Sequence, residues 1–278
     1  MWMGIAYFAG TLILISIIWG LRLEAPENLL NPWHLLTILR GLIWVLGMAA
    51  YNLAIDKIGL TRFNQWKNIQ GPVGSLLILL IVTDMLAGIK LFYLLLGTIT
   101  MFASALIFQI KTVAELKNQS SKKNTCSGIA FALFSGVCFG ITALLNSIVS
   151  SPAIVGEKFT FTQLLYHSAS LIIFSVLVYL MIGNNKKQCL KDIFVLNQKI
   201  WLPFSAGTMF LIATLLTIYS YRMIPAAVAW SIVQLNVFWT VLVGVFVFKE
   251  VNFRQHWPRL TAGVILAAGA LVFLLFAL

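Results

Sequence analysis

Two stretches of the chain, residues 41–97 and 207–263, resemble each other at a constant offset of 166 positions (207 minus 41). Gly41 matches Gly207 in this alignment, and the correspondence runs without gaps through three apolar segments. A chain that repeats itself over such a length is expected to fold as two related halves. This repeat constrains the architecture more strongly than any single motif does.

The amino-acid composition predicts that these halves lie in a membrane. Hydrophobic residues make up 60% of the chain and charged residues 10%, whereas a soluble domain carries about 25% charge. The three cysteines have neither metal-ligand nor redox spacing, and we expect no metal and no cofactor. The net charge of +11 raises nucleic-acid binding as an alternative, but such an excess is typical of the cytoplasmic loops of membrane proteins. The predicted fold class is an all-α polytopic membrane protein without a nucleic-acid partner.

Apolar segments divide the chain at regular intervals. Nine of them are long enough for a helix to cross the bilayer core, which requires about 20 residues. The links between them are short, and the three longest are polar or charged. The predicted helices lie near residues 1–21, 35–55, 66–83, 89–110, 127–149, 162–182, 200–221, 226–248 and 259–278.

The charge of the links predicts the orientation. The links after the second, fourth, sixth and eighth segments, together with the first two residues of the segments that follow them, hold 14 of the 19 Lys and Arg residues. Since positive charge marks cytoplasmic loops, the links at 56–65, 111–126, 183–199 and 249–258 are predicted to be cytoplasmic, in a multi-pass protein of the cell membrane. The five basic residues on the other side are Arg22, Arg40, Lys90, Lys158 and Arg222.

The same charges predict that the two halves are inverted. The link at 56–65 is basic whereas its repeat partner at 222–231 is nearly neutral, and the opposite holds for 84–90 and 249–259. Equivalent links on opposite sides require an odd number of helices in each half.

The helix count of the two halves is unequal. The domains predicted are a first transmembrane repeat of four helices at 1–110, a cytoplasmic linker at 111–126 and a second repeat of five helices at 127–278. The segment at 127–149 has no counterpart in the first half. Relative to an ideal five-plus-five arrangement, we expect that a first helix is missing, unless the protein works with nine.

Two inverted halves of this size resemble the drug/metabolite transporter (DMT) superfamily of EamA-like proteins. The start of the second half, with Gly128, Gly136 and Gly140, is similar to the opening helix of that superfamily's second half. The resemblance implies alternating access between two bundles.

Two shorter runs of residues resemble one branch of this superfamily in particular. The run from Gly41 to Gly47, followed by the run from Ile55 to Arg62, is similar to the glucose/ribose porter branch, and Gln234 lies where that branch has a Ser-Gln pair. This similarity implies sugar uptake.

The strongest candidate for a substrate site is the polar run from Asn64 to Pro72. Positions 64, 67, 68 and 71 share one helical face. Pro72 lacks an N–H, so we expect a kink at Gly71 and Pro72 that releases backbone carbonyls near Lys67 and Asn68. The alternative is an ordinary cytoplasmic loop from which Lys67 extends to the membrane interface.

The repeat gives this run an amide-bearing partner. Asn68 matches Gln234 and Gln70 matches Asn236, so these side chains would meet near the axis that relates the halves, where substrate is expected. Aromatic rings pack against the C–H surfaces of sugars and against organic cations, although for any single ring bundle packing or an interfacial belt is the favoured explanation. The aromatic candidates are Trp44, Trp66, Tyr166, Trp230 and Trp239.

Ionisable residues inside the predicted helices are few. His167 lies within the sixth segment and is the candidate for carrying a coupling proton, the alternative being a neutral histidine that is hydrogen-bonded across helices. Arg40 lies near the start of its segment and is expected to extend outward to the interface. All eight acidic residues lie in links or at helix ends, which argues against the membrane-embedded glutamate of small multidrug antiporters.

Taken as a whole, these features predict a secondary transporter that moves a small polar metabolite. Sugar uptake is the leading hypothesis, and an EamA-type exporter of amino acids, organic anions or drugs is the alternative. No hydrolytic triad, phosphate loop or metal cluster is evident, so an enzyme is not expected. A non-transporting membrane scaffold is a third reading. The expected partners are a small-molecule substrate, a coupling proton and the lipid bilayer, and a homodimer is left open.

Overall fold

A computed structural model of the chain describes residues 2–22, 27–58, 63, 66–67, 69–82, 88–109, 122–156, 158–182, 201–233 and 253–277. These residues form ten α-helices and no strand, which confirms the all-α prediction for this part of the chain. The helices are α1 (Trp2–Gly20), α2 (His34–Ile58), α3 (Gln70–Ile81), α4 (Ile89–Gln109), α5 (Lys122–Ser150), α6 (Pro152–Val155), α7 (Phe161–Ile182), α8 (Trp201–Met223), α9 (Ala226–Val233) and α10 (Phe253–Phe276).

Six of these helices are long and apolar enough to cross a membrane, namely α1, α2, α5, α7, α8 and α10. Helix α3 is apolar but shorter, and the part of α4 at Ile89–Ser104 is also apolar. The described part of α9 opens the predicted segment 226–248, whose remainder lies outside the described residues. Each of the nine predicted segments therefore contains a helix, and the chain is a multi-pass membrane protein.

The predicted cytoplasmic links fall mostly outside the described residues. The parts that are not described are 59–62, 64–65, 111–121, 183–199 and 249–252. The side of the membrane on which these links lie stays a prediction.

The chain divides into two compact units. Unit 1 comprises Met1–Leu46 and Leu145–Met223, and unit 2 comprises Gly47–Leu144 and Ile224–Leu278. Helices α2 and α5 each contribute one part to each unit. Because each unit contains helices from both predicted repeats, the units are not the repeats themselves, and the boundaries of the repeats stay a prediction.

In unit 1, helix α1 packs against α7 and α8. The core is aliphatic and aromatic, and it comprises Tyr7, Ile15, Val45, Phe161, Leu164, Leu171, Leu211 and Ile218. Two glycines permit the closest approaches. A Cβ at Gly41 would collide with the Ser170 side chain of α7, and a Cβ at Gly207 would collide with the Met3 carbonyl and with Ala6 of α1.

These two glycines are the first matched pair of the sequence repeat. Gly41 brings α2 against α7, and Gly207 brings α8 against α1. In the predicted repeat, α8 corresponds to α2 and α1 corresponds to α7. Both glycines of this matched pair thus lie at close helix contacts within unit 1.

In unit 2, α4 packs along α10 and α3 packs against α9. Hydroxyl groups join these helices internally, since Ser231 Oγ lies 2.8 Å from Ser75 Oγ and 3.2 Å from Thr98 Oγ1. Ser104 Oγ also donates to the carbonyl of Gly263, at 2.7 Å. Such bonds let polar side chains lie between apolar helices without an unpaired donor.

The link before α2 is fixed to the start of α7 by one carboxylate. Glu27 accepts hydrogen bonds from the backbone N–H groups of Thr160, Phe161 and Thr162, at 2.8, 3.2 and 2.8 Å. It also accepts one from Thr162 Oγ1, at 2.7 Å. The first N–H groups of a helix lack partners within the helix and favour a negative charge, so Glu27 caps α7.

We predict that Gly207→Ala destabilises the protein by about 1–3 kcal/mol, because the new methyl group meets backbone of α1 that cannot rotate away. Gly269→Ala is the matched control, since a Cβ there meets nothing within 4 Å. The measurement is the thermal unfolding midpoint of both variants in detergent. Equal midpoints would contradict the close contact between α1 and α8.

Candidate functional site

Part of the predicted polar site lies outside the described residues. Asn64 and Asn68 are not described, and neither are Gln234 and Asn236, nor is the aromatic candidate Trp239. The proposed meeting of amide pairs therefore stays a prediction.

Gly71 and Pro72 lie in the first turn of α3, which begins at Gln70. The N–H that proline lacks has no partner in a first turn in any case, and proline is therefore well tolerated there. Residue 68 lies outside the described residues, so the kink stays a prediction.

Lys67 is half-buried in unit 2 among aromatic rings. Its Nζ lies 5.9 Å from the ring centroid of Tyr51 and 5.5 Å from that of Phe139, within the range of cation–π attraction. The backbone of Lys67 lies so close to α5 that a Cβ at Gly136 would be 2.7 Å from the Lys67 carbonyl. The neighbouring Trp66 is 40% exposed.

Gln70 and Trp230 come together in unit 2. The indole Nε1 of Trp230 donates to the carbonyl of Gln70, at 3.3 Å. A Cβ at Gly74 would collide with the same indole ring, so glycine leaves room for it. Gln70 itself is buried.

Tyr166 lies at the start of α7 beside the link that precedes α2. Its hydroxyl donates to the carbonyl of Leu29, at 2.6 Å, and its ring stacks on His34 with centroids 4.5 Å apart. These contacts hold the link against α7, and the predicted substrate contact stays untested.

The most distinctive polar group of unit 1 surrounds Arg40. Arg40 is 6% exposed, and it interacts electrostatically with the hydroxyl groups of Tyr7 and Tyr221 and with the ring of His167. The expectation that Arg40 extends outward is therefore wrong, since Arg40 is buried and the next residue, Gly41, lies in close contact with α7. We call Arg40, Tyr7, His167 and Tyr221 the buried polar cluster.

Aromatic rings border this cluster. The rings of Tyr7 and His167 meet edge to face with centroids 5.8 Å apart, and Tyr7 meets Phe210 at 5.4 Å. Trp44, one helical turn after Arg40, packs on Phe210 at 5.3 Å. The structure thus brings two sequence candidates, Trp44 and His167, into one neighbourhood.

The cluster contains buried polar atoms that lack a hydrogen-bond partner among the described residues. They are Arg40 Nη1, both ring nitrogens of His167 and the hydroxyls of Tyr7 and Tyr221. A buried donor or acceptor without a partner costs about 1–3 kcal/mol. Most buried polar atoms in proteins are satisfied, so several unsatisfied atoms together make this cluster a candidate site.

A satisfied polar network lies nearby and provides a contrast. Gln163 Nε2 donates to Asn146 Oδ1 at 2.7 Å, and Ser150 Oγ donates to Gln163 Oε1 at 3.3 Å. Arg222 donates to Thr160 Oγ1 at 2.7 Å and to the Phe159 carbonyl at 2.9 Å. Arg222 is thus engaged by the protein itself, unlike Nη1 of Arg40.

Sequence analysis missed three members of the cluster: Arg40, Tyr7 and Tyr221. The available signal was that an ionisable residue inside a membrane helix is a functional candidate by default, which applies to Arg40 as it does to His167. Nothing in the sequence joins Tyr7 or Tyr221 to them, because helix packing alone creates that proximity. Among the described residues, no three His, Cys, Asp or Glu side chains are placed to hold a metal ion.

The family model for sugar transport proteins matches residues 10–277. The chain belongs to this family. No curated protein matches it. The match includes segments that contribute to both units, and it covers three of the four residues of the buried polar cluster, Arg40, His167 and Tyr221.

We predict that Tyr7→Phe leaves the thermal unfolding midpoint unchanged or raises it, because the lost hydroxyl lies near the Thr214 side chain but has no partner in hydrogen-bonding geometry among the described residues. Tyr166→Phe is the matched control and should cost about 0.5–1.5 kcal/mol, since that hydroxyl bonds to the Leu29 carbonyl. Unfolding of both variants in detergent tests this. Equal destabilisation would mean that the Tyr7 hydroxyl has a partner after all.

Proposed function

We propose that the protein is a secondary transporter that moves a sugar across the cell membrane by alternating access. Membership of the sugar transport family supports the substrate class. The single observation that carries the proposal is the buried polar cluster, in which five polar atoms have no hydrogen-bond partner among the described residues, inside a unit built of apolar helices. A non-transporting scaffold would have no substrate to offset the free-energy cost of burying these unpaired atoms.

The chemistry of the cluster fits a sugar. Sugar hydroxyls donate and accept hydrogen bonds, and tyrosine hydroxyls and a neutral imidazole do both as well. Their C–H surfaces pack against aromatic faces, which Trp44, Tyr7 and Phe210 provide at the border of the cluster. We therefore place Trp44 and His167 among the substrate-binding residues, together with Arg40.

The unit 2 candidates retain a place in this proposal. Lys67, Gln70 and Trp230 make contacts within unit 2 that would position them, and Trp66 is exposed beside them. They are proposed as residues that a substrate meets at another stage of transport, and Tyr166 as a residue that positions α7.

We further propose that the architecture is a pair of inverted repeats of the DMT superfamily, covering 1–110 and 127–278. The charge pattern of the links supports inversion. The equivalent contacts of Gly41 and Gly207 support a two-fold relation between the repeats. Three pairs of helices in equivalent segments also pack together, namely α1 with α7, α3 with α9 and α4 with α10.

The test of this function is uptake and counterflow in proteoliposomes that contain the purified chain. Labelled glucose and ribose, amino acids and small organic acids serve as the substrate panel. We expect saturable flux of a sugar or sugar derivative that related sugars compete. Flux of amino acids or small organic acids alone would contradict the sugar proposal and favour an exporter, and no flux from a folded, monodisperse protein would favour a scaffold.

His167 is proposed as the residue that carries a coupling proton. Both of its ring nitrogens are buried without a hydrogen-bond partner among the described residues, so a proton can be gained without breaking a bond within the protein, although the nearby Arg40 cation opposes that proton. His34, by contrast, bonds to the Asn28 carbonyl through Nε2 at 2.9 Å.

We predict that His167→Gln abolishes sugar accumulation driven by a pH gradient while keeping at least part of the counterflow, which needs no proton movement. His34→Gln is the control and should keep both activities. Accumulation and counterflow are measured on the same vesicle preparations. Gradient-driven accumulation that persists in His167→Gln would assign coupling elsewhere or show that the protein is a facilitator.

A further inference from the structure

Arg40 is a buried positive charge for which unit 1 offers no described counter-charge. Glu27 is the one acidic residue that the structure describes in unit 1, and its carboxylate already accepts four hydrogen bonds at the start of α7. The remaining described acid, Asp56, belongs to unit 2. Among the described residues, the guanidinium is therefore not neutralised by its own unit.

The groups around Arg40 add donors to this charge. Arginine has N–H donors and no acceptor, and the hydroxyls of Tyr7 and Tyr221 can each donate. His167 supplies at least one further N–H in any protonation state. A site with one fixed cation and several unpaired donors favours a ligand that bears a negative charge and accepts hydrogen bonds.

An uncharged sugar would leave this cation uncompensated. Removing a charged group from water costs several kcal/mol unless an opposite charge or strong hydrogen bonds replace the lost hydration. A hydroxyl group cannot supply the opposite charge, whereas a carboxylate can bind both edges of the arginine fork with two parallel hydrogen bonds.

We propose that the substrate is a sugar acid, a polyhydroxylated molecule with one carboxylate that binds Arg40. This inference rests on the proposed sugar transport and specifies its substrate class. One fixed positive charge balances one carboxylate, whereas a phosphate ester, with nearly two negative charges at neutral pH, would leave excess negative charge among apolar helices. The hydroxyl groups of the same molecule meet the cluster's tyrosines and the aromatic border near Trp44.

The first experiment needs no mutation. Counterflow by the wild-type protein is competed with glucuronate, with its neutral amide glucuronamide, with glucose and with glucose 6-phosphate. We expect glucuronate to compete about tenfold or more better than the amide, since the two differ only in the charged group. Equal competition by acid, amide and glucose would overturn the inference and leave sugar transport standing. Stronger competition by the phosphate ester would also overturn it.

The second experiment assigns the charge preference to Arg40. The ratio of acid to amide competition is measured in Arg40→Gln and Arg40→Lys, because a ratio within one preparation does not depend on the fraction of folded protein. We expect the ratio to fall towards one in Arg40→Gln and to be partly kept in Arg40→Lys. Arg22→Gln, at an exposed arginine in the link after α1, is the matched control and should keep the wild-type ratio.

A preserved ratio in Arg40→Gln would place the anion elsewhere and overturn the assignment. If neither sugars nor sugar acids move in any preparation, the proposed function itself fails. In that case binding is measured by the shift of the unfolding midpoint with glucuronate and glucuronamide. A shift with the acid alone would support the anion site without transport, and no shift would overturn it.

Discussion

A polar atom that is buried among apolar helices must find a partner inside the protein or lose about 1–3 kcal/mol, and this constraint shapes the structure. The carboxylate of Glu27 caps α7, the hydroxyls of Ser75, Thr98 and Ser231 satisfy one another, and Gln163 bonds to Asn146. Glycines serve the same end, because they allow helices to approach until short side chains can reach across. Most of the buried polar side chains that the structure describes follow this rule.

The cluster around Arg40 departs from the rule, and the departure gives it functional meaning. Unsatisfied groups persist in a fold when a bound ligand or a conformational transition offsets their free-energy cost. In the proposed transporter of the sugar transport family, the simplest such ligand is the substrate. A site that is costly when empty also suits a carrier, since the energy of binding is then available to change its conformation.

The fate of the two candidate cations shows where sequence reasoning succeeds and fails. Its place in a polar run makes Lys67 a substrate-binding candidate, but in the structure its ammonium group lies near the rings of Tyr51 and Phe139. The position of Arg40 near a helix end predicts that its side chain reaches the membrane interface, but it is buried near Tyr7 and His167. Distance along a helix does not reveal which face meets a neighbour, and that face decides whether a long side chain reaches water.

The sequence by itself determined the membrane class, the nine helical segments and the repeat. The length of an apolar run decides whether a segment can cross the bilayer, and the charge of the links decides its orientation, and both are local properties of the sequence. It also named Trp44 and His167 as candidates. Only the tertiary structure joined Tyr7, Arg40, His167 and Tyr221, which lie on four different helices, into one cluster. Proximity across helices depends on packing at close-contact glycines such as Gly41 and Gly207, and a single sequence does not specify which helices those glycines will meet.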